Sequence, residues 1–168
     1  VGSDVTVRFN SSGQLVQADN GALTYRLRPG GTHAADFGTD GILTWGRWIG
    51  PVQLPTGDVN YSANQGFHYV VGLPTPVLPT NNVTASYVLS GASRPTYTDG
   101  STTPGTFTGS MTVTFAAQAS INGTFQAAMP DRTYAWTAVG STSSAAFSLA
   151  TTPVSGCNNG CTRTPVTR

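Results

Sequence analysis

A chain of 168 residues with 9% charged residues and a net charge of +1 can bury a core of useful size as one domain. It has no basic stripe for nucleic acid, and no apolar run long enough for a membrane-spanning helix. Every cation is Arg and every anion is Asp.

With so few charges, Thr, Ser, Gly and Asn do the solvating, a composition that suits a secreted or surface-displayed protein. A net charge this close to zero does little to prevent self-association. The start at Val1-Gly2-Ser3-Asp4 reads as a processed or excised product.

Val5 to Phe9 alternates apolar and polar residues and is expected to be a strand, turned by Asn10-Ser11-Ser12-Gly13. Leu15 to Gln17 is a short return strand, followed by a turn at Asp19-Asn20-Gly21. Leu23 to Arg28 alternates cleanly and stops at Pro29-Gly30-Gly31. Thr32 to Gly41 reads as a loop carrying His33, Asp36 and Asp40. Ile42 to Trp48 is the next strand, with Trp45 and Trp48 on opposite faces and Gly50-Pro51 as its end. Leu54 to Gly57 is a loop, Phe67 to Val71 a strand, and the three prolines of Pro74 to Pro79 an extended linker. Ala85 to Ser90 is a further strand, and turns fall at Asp99-Gly100 and Pro104-Gly105.

Gly105 to Phe115 has the most regular pattern. Phe107, Gly109, Met111, Val113 and Phe115 fall on one face; Thr106, Thr108, Ser110, Thr112 and Thr114 fall on the other. This is the period of two of a strand, about 35 Å long. Gly109 at its middle predicts a bulge or a close approach by another segment. Such a strand needs partners or guards on its edges, and the five hydroxyl residues are candidates for pairing with another surface. Asn122-Gly123 is expected to be a hairpin turn leading to Thr124–Ala128. Arg132 to Val139 carries Tyr134 and Trp136 on one face; Ala145, Phe147 and Leu149 form one face of a last strand. Cys157 and Cys161 flank Asn158-Asn159-Gly160, and a disulfide across this turn is preferred over a two-cysteine metal site that lacks further ligands.

The expected fold class is all-β: a single domain over residues 1–168, an antiparallel β-barrel or β-sandwich meander. Residues 1–40 supply N-terminal strands and a loop, 41–150 the core strands, and 151–168 the cysteine hairpin and tail.

Three phrases together, GILTWGRWIG at Gly41–Gly50, GFHYVVGLPTP at Gly66–Pro76 and YTDGSTTPGTFTGSMTVTF at Tyr97–Phe115, carry a family likeness. They resemble the C-terminal β-domain that follows FecR-type domains in proteobacterial surface proteins, itself similar to the barrel of transferrin-binding-protein-like lipoproteins. The resemblance implies a bacterial surface location and further strands after the cysteine pair. If those closing strands are missing from the fold, an open sheet edge results and invites a strand from another copy.

The sequence holds no Gly-x-Ser-x-Gly elbow, P-loop, dinucleotide or metalloprotease motif, and no catalytic residue, cofactor or metal site is assigned. His33, Asp36 and Asp40 read as a polar loop rather than a calcium site. Trp45, Trp48, His68, Tyr69 and Trp136 are the candidate contact residues, since aromatics give large contact area at low entropy cost. The expectation is a non-enzymatic secreted or cell-surface module, structural or adhesive. Its partners are copies of itself or another surface protein, and it self-assembles by strand exchange. The alternative, implied by the resemblance, is a barrel that captures iron, haem or a host iron protein, with His68 and Tyr69 as the residues to test.

Overall fold

A computed structural model of the chain describes residues 5–33, 36–73, 77, 79, 81–144 and 147–152. Both cysteines lie outside the described residues, so the disulfide expectation is not addressed by them. The fold is all-β. Among the described residues there is no helix, and hence none long and apolar enough to cross a membrane. Two antiparallel sheets follow each other along the chain, and neither closes into a barrel.

The first sheet contains β1 (Thr6–Phe9), β2 (Leu15–Asp19), β3 (Thr24–Leu27), β4 (Thr32–His33), β5 (Gly38–Thr39), β6 (Leu43–Leu54), β7 (Gly57–Tyr61) and β8 (Phe67–Gly72). Its logic is simpler than that count. β3, β4 and β5 run in succession along one edge of β6, pairing Leu27 with Val52, His33 with Trp48 and Thr39 with Thr44. β7 and β8 run in succession along the other edge, pairing Val59 with Val52 and Phe67 with Trp48. Each set acts as one interrupted strand, so the sheet is a meander of five positions: β1, β2, β3–β5, β6 and β7–β8.

β6 continues through Gly50-Pro51, where the sequence predicts its end. Gly50 takes the left-handed conformation (φ 77°). Pro51 has no N–H to give, but its carbonyl still accepts from Arg28 N–H at 3.0 Å. The Arg28 carbonyl, which would otherwise face that missing donor, accepts instead from Gly31 N–H at 2.9 Å. The Pro29-Gly30-Gly31 turn thus satisfies the group that proline leaves unpartnered. Residues 32–33 and 38–39, read from sequence as loop, and 57–61, of which the sequence reading places only Gly57 in a loop, are strands because β6 offers them a long template.

A bulge between β1 and β2 sets Phe9 opposite Leu15 after Arg8 opposite Gln17. The extra residue brings Leu15 to the same face as Ala18 and Val7. That face holds the core of Leu15, Trp48, Val52 and Tyr69, with Tyr25, Leu27 and Phe67 packed against it. Trp48 is fully buried and donates its indole N–H to the Leu15 carbonyl at 2.7 Å, although β2 and β6 are not neighbours. The sheet is therefore strongly curled, with Trp48 filling the trough.

The second sheet is a meander of β9 (Val83–Val88), β10 (Thr106–Phe115), β11 (Ala119–Ala128), β12 (Thr133–Thr142) and β13 (Ala150–Thr151). β10 alternates faces as its sequence dictates. One expectation nearby is corrected. Asn122-Gly123 is not a turn: Asn122 pairs with Thr112 and Val139 inside β11, and the chain reverses at 116–118 instead. Gly109 marks a close approach rather than a bulge, since the register runs unbroken from Thr106 to Thr114 and Phe125 lies against it. Both glycines serve one side chain. A Cβ on Gly109 would lie 2.7 Å from Phe125 Cδ1, and one on Gly123 would lie 2.6 Å from Phe125 Cε2. The Phe125 ring lies flat on both and stacks on Phe107 and Trp136 at 6.1 and 5.8 Å. The last strand begins at Ala150, after the run 147–149; Leu149 packs into the small core of Val113, Ala119 and Ile121.

Candidate functional site at the open seam of the first sheet

Neighbouring strands in each ladder run in opposite directions, so a five-position meander leaves its two outer strands, β1 and β8, pointing the same way. They cannot close on each other as an antiparallel pair. One strand placed between them, running opposite to both, would complete a six-position barrel. The curl brings the two edges to opposite walls of a groove of about 800 Å³. Val5, Val7 and Phe9 form one wall, Val71 and Leu73 the other, and Ile42 with Thr44 lies at one end. Among the described residues, no lining residue is charged. Leu73 is 79% exposed and Ile42 66% exposed, so among the described residues nothing covers these side chains. Among the described residues, no backbone hydrogen bond joins the outer edge of β1 or β8 to another segment.

Part of the other face of the first sheet is covered by the stretch 91–104, which links β9 to β10 and packs against the first sheet through His68 and Gln65. Arg47 organises this contact and is 1% exposed. Its guanidinium meets both carboxylate oxygens of Asp36 at 3.3 Å and donates to the carbonyls of Ala63 (2.9 Å) and Gln65. Asp36, 4% exposed, also accepts from Arg94 N–H at 2.6 Å. One ion pair thus ties together Asp36, just before β5, the 62–66 loop and the linking stretch. Burial alone would raise the Asp36 pKa; the hydrogen bonds from Arg47 and Arg94 and the Arg47 charge outweigh it and hold it below the usual carboxylate value.

The five aromatic and histidine candidates do not converge. Trp48 and Tyr69 are in the trough. Tyr69 OH lies 3.3 Å from His33 Nδ1, and burial pushes its pKa up to about 12. Burial also lowers the His33 pKa. Trp45 and His68 lie on the opposite face, under the linking stretch. A Cβ on Gly38 would fall against the Trp45 indole, and His68 Nδ1 and Nε2 lie 2.8 and 3.0 Å from the Ser93 and Thr96 hydroxyls. Burial, then the Arg47 charge, hold the His68 pKa below its ordinary value. His68 and Tyr69 therefore point to opposite sides of β8. Trp136 belongs to the second sheet, stacked with Phe125. Asp36 and Asp40 also separate: Asp40 caps the Ile42 and Leu43 N–H groups at 2.9 and 2.7 Å. Among the described residues, no three His, Cys, Asp or Glu side chains cluster as a metal site.

Thr106, Thr108, Ser110, Thr112 and Thr114 lie on one face of the second sheet. Neighbours in register include Thr124, opposite Ser110, and Asn122, opposite Thr112. Ser110 and Thr124 hydroxyls are 3.1 Å apart, as are those of Thr84 and Thr114. These residues bond across their own sheet. Sequence reasoning did not single out Arg47 or the seam. A charged residue in an apolar run (TWGRWIG) was the available signal for the first; the seam depends on which strands end up outermost.

No protein-family model, curated protein or solved structure matches the chain.

Proposed function

We propose that this protein is a non-enzymatic, secreted or cell-surface module that works through protein contacts and self-assembles by strand exchange. The observation that carries the reading is the open seam: two co-directional strands that no described residue pairs along their outer edges, with exposed apolar side chains between them. Edges of this kind are templates for pairing with another chain. The low charge of the surface supports the reading, because little repulsion opposes close approach of copies. The likeness of the Gly41–Gly50, Gly66–Pro76 and Tyr97–Phe115 phrases to bacterial surface β-domains supports the location. A contact in which a strand of one copy enters the seam of the next is head-to-tail, and repeats into an open filament unless its rotation closes a ring.

The test is size-exclusion chromatography beside negative-stain electron microscopy of the native protein. Filaments, sheets or rings with a regular repeat are expected. A uniform monomer at high concentration overturns the reading.

A further inference from the structure

We infer that the seam between β1 and β8 takes a single extended peptide strand, uncharged and apolar at every second position, that lies antiparallel to both edges. This rests on the reading of the protein as a protein-contact module and specifies the occupant. Three features select a peptide over another apolar ligand.

The first is direction. Both outer strands point the same way, so one strand bonds to both in the antiparallel sense, which two strands cannot do. The second is the backbone. An apolar small molecule would cover the side chains of the groove but leave the outer N–H and C=O groups of β1 and β8 without partners once water is excluded. A strand satisfies both rows. The third is the pattern of the walls. Val5, Val7 and Phe9 recur with period two on one wall of the groove, and Val71 on the other wall packs, like Val7, against the trough core. An incoming strand presents its own alternate side chains to that interior. The absence of charge among the described lining residues excludes Lys, Arg, Asp and Glu from those inward positions, where an ion would be desolvated without a partner.

The length follows from the edges. β1 has four residues and β8 six, so a segment of the occupant no longer than β1 can pair with both, and the rest of its length pairs with β8 alone. β9 is an outer strand of the other sheet, so it serves as an internal control for pairing at any exposed edge.

The experiment titrates the full chain with a synthetic peptide of alternating Val and Thr, six residues long and bearing one Lys beyond each end. Backbone hydrogen exchange is followed residue by residue. The expected result is slowed exchange in both β1 and β8, with β9 unchanged, and no such slowing with a peptide carrying Pro at alternate positions. The exposed substitutions Leu73→Asp and Ile42→Asp, which leave the Trp48 core untouched, are expected to weaken peptide binding at least tenfold. Protection at only one edge, equal protection of β9, or no protection overturns the inference. Filaments formed by a native protein that ignores the peptide overturn the inference and leave the proposed function standing. Peptide protection of both edges in a protein that stays monomeric upholds the inference and removes self-assembly.

Discussion

Replacing Asp36 by Ala tests the account of how the linking stretch is held. Asp36 and Arg47 are 4% and 1% exposed, so the substitution leaves a guanidinium buried with its charge uncompensated. Removing one member of a buried pair costs about 3–5 kcal/mol. With a urea slope of about 2 kcal/mol per molar, the unfolding midpoint should fall by roughly 1.5–2.5 M. The double substitution Asp36→Leu with Arg47→Met separates two explanations. If the pair mattered only as two charges, an apolar replacement would be neutral or stabilising. Here the double variant also strips partners from the Ala63 and Gln65 carbonyls and from Arg94 N–H. A buried carbonyl left unsatisfied costs about 1–3 kcal/mol; the Arg47 contacts to Ala63 and Gln65 are only part-buried and the Arg94 contact is exposed, so water replaces some of these bonds. The double variant should therefore remain less stable than the native chain, by about 1–2 kcal/mol. Equilibrium urea unfolding, followed by tryptophan fluorescence, reads both variants. A double variant as stable as the native protein would refute the anchoring role. The acid limb gives a second check. The folded-state pKa of Asp36 is held below the ordinary 3.8, so its contribution is present above that value and lost as pH falls through the folded pKa. Asp36→Asn should flatten that part of the stability profile.

Tyr69→Phe should remove one phenol from the alkaline titration followed by ultraviolet absorbance, and the phenol lost should be the one near pH 12. The folded pKa is above the ordinary 10.0, so the native contribution is complete below pH 10 and lost as pH rises towards 12. Trp48→Phe leaves the buried Leu15 carbonyl without its 2.7 Å donor and should cost about 1–3 kcal/mol in thermal or urea unfolding. A loss below a few tenths of a kcal/mol would mean that water replaces the indole. Gly109→Val should cost about 1–3 kcal/mol by overpacking against Phe125, despite the better strand propensity of Val. Phe125→Leu should relieve part of that cost in a double-mutant cycle, and strict additivity would refute the contact.

The strand from Thr106 to Phe115, the turns at Asn10–Gly13 and Asn20-Gly21, and the opposite facing of Trp45 and Trp48 were legible in the sequence alone. Each depends on a property of a few adjacent residues: a period of two, a side chain that bonds its own backbone, or parity along one strand. The all-β class follows from the sum of such local patterns. Tertiary structure decided the rest. Gly50-Pro51 continues a strand because a turn near Arg28 absorbs the missing donor. Asn122-Gly123 stays within a strand because Gly123 gives room to Phe125. Asp36 serves Arg47 because the 62–66 loop and a linking stretch converge with it on a single guanidinium. The open seam is the furthest from sequence. It depends on an odd number of sheet positions and on the curl that sets β1 across from β8, and both are fixed by pairings between residues tens of positions apart.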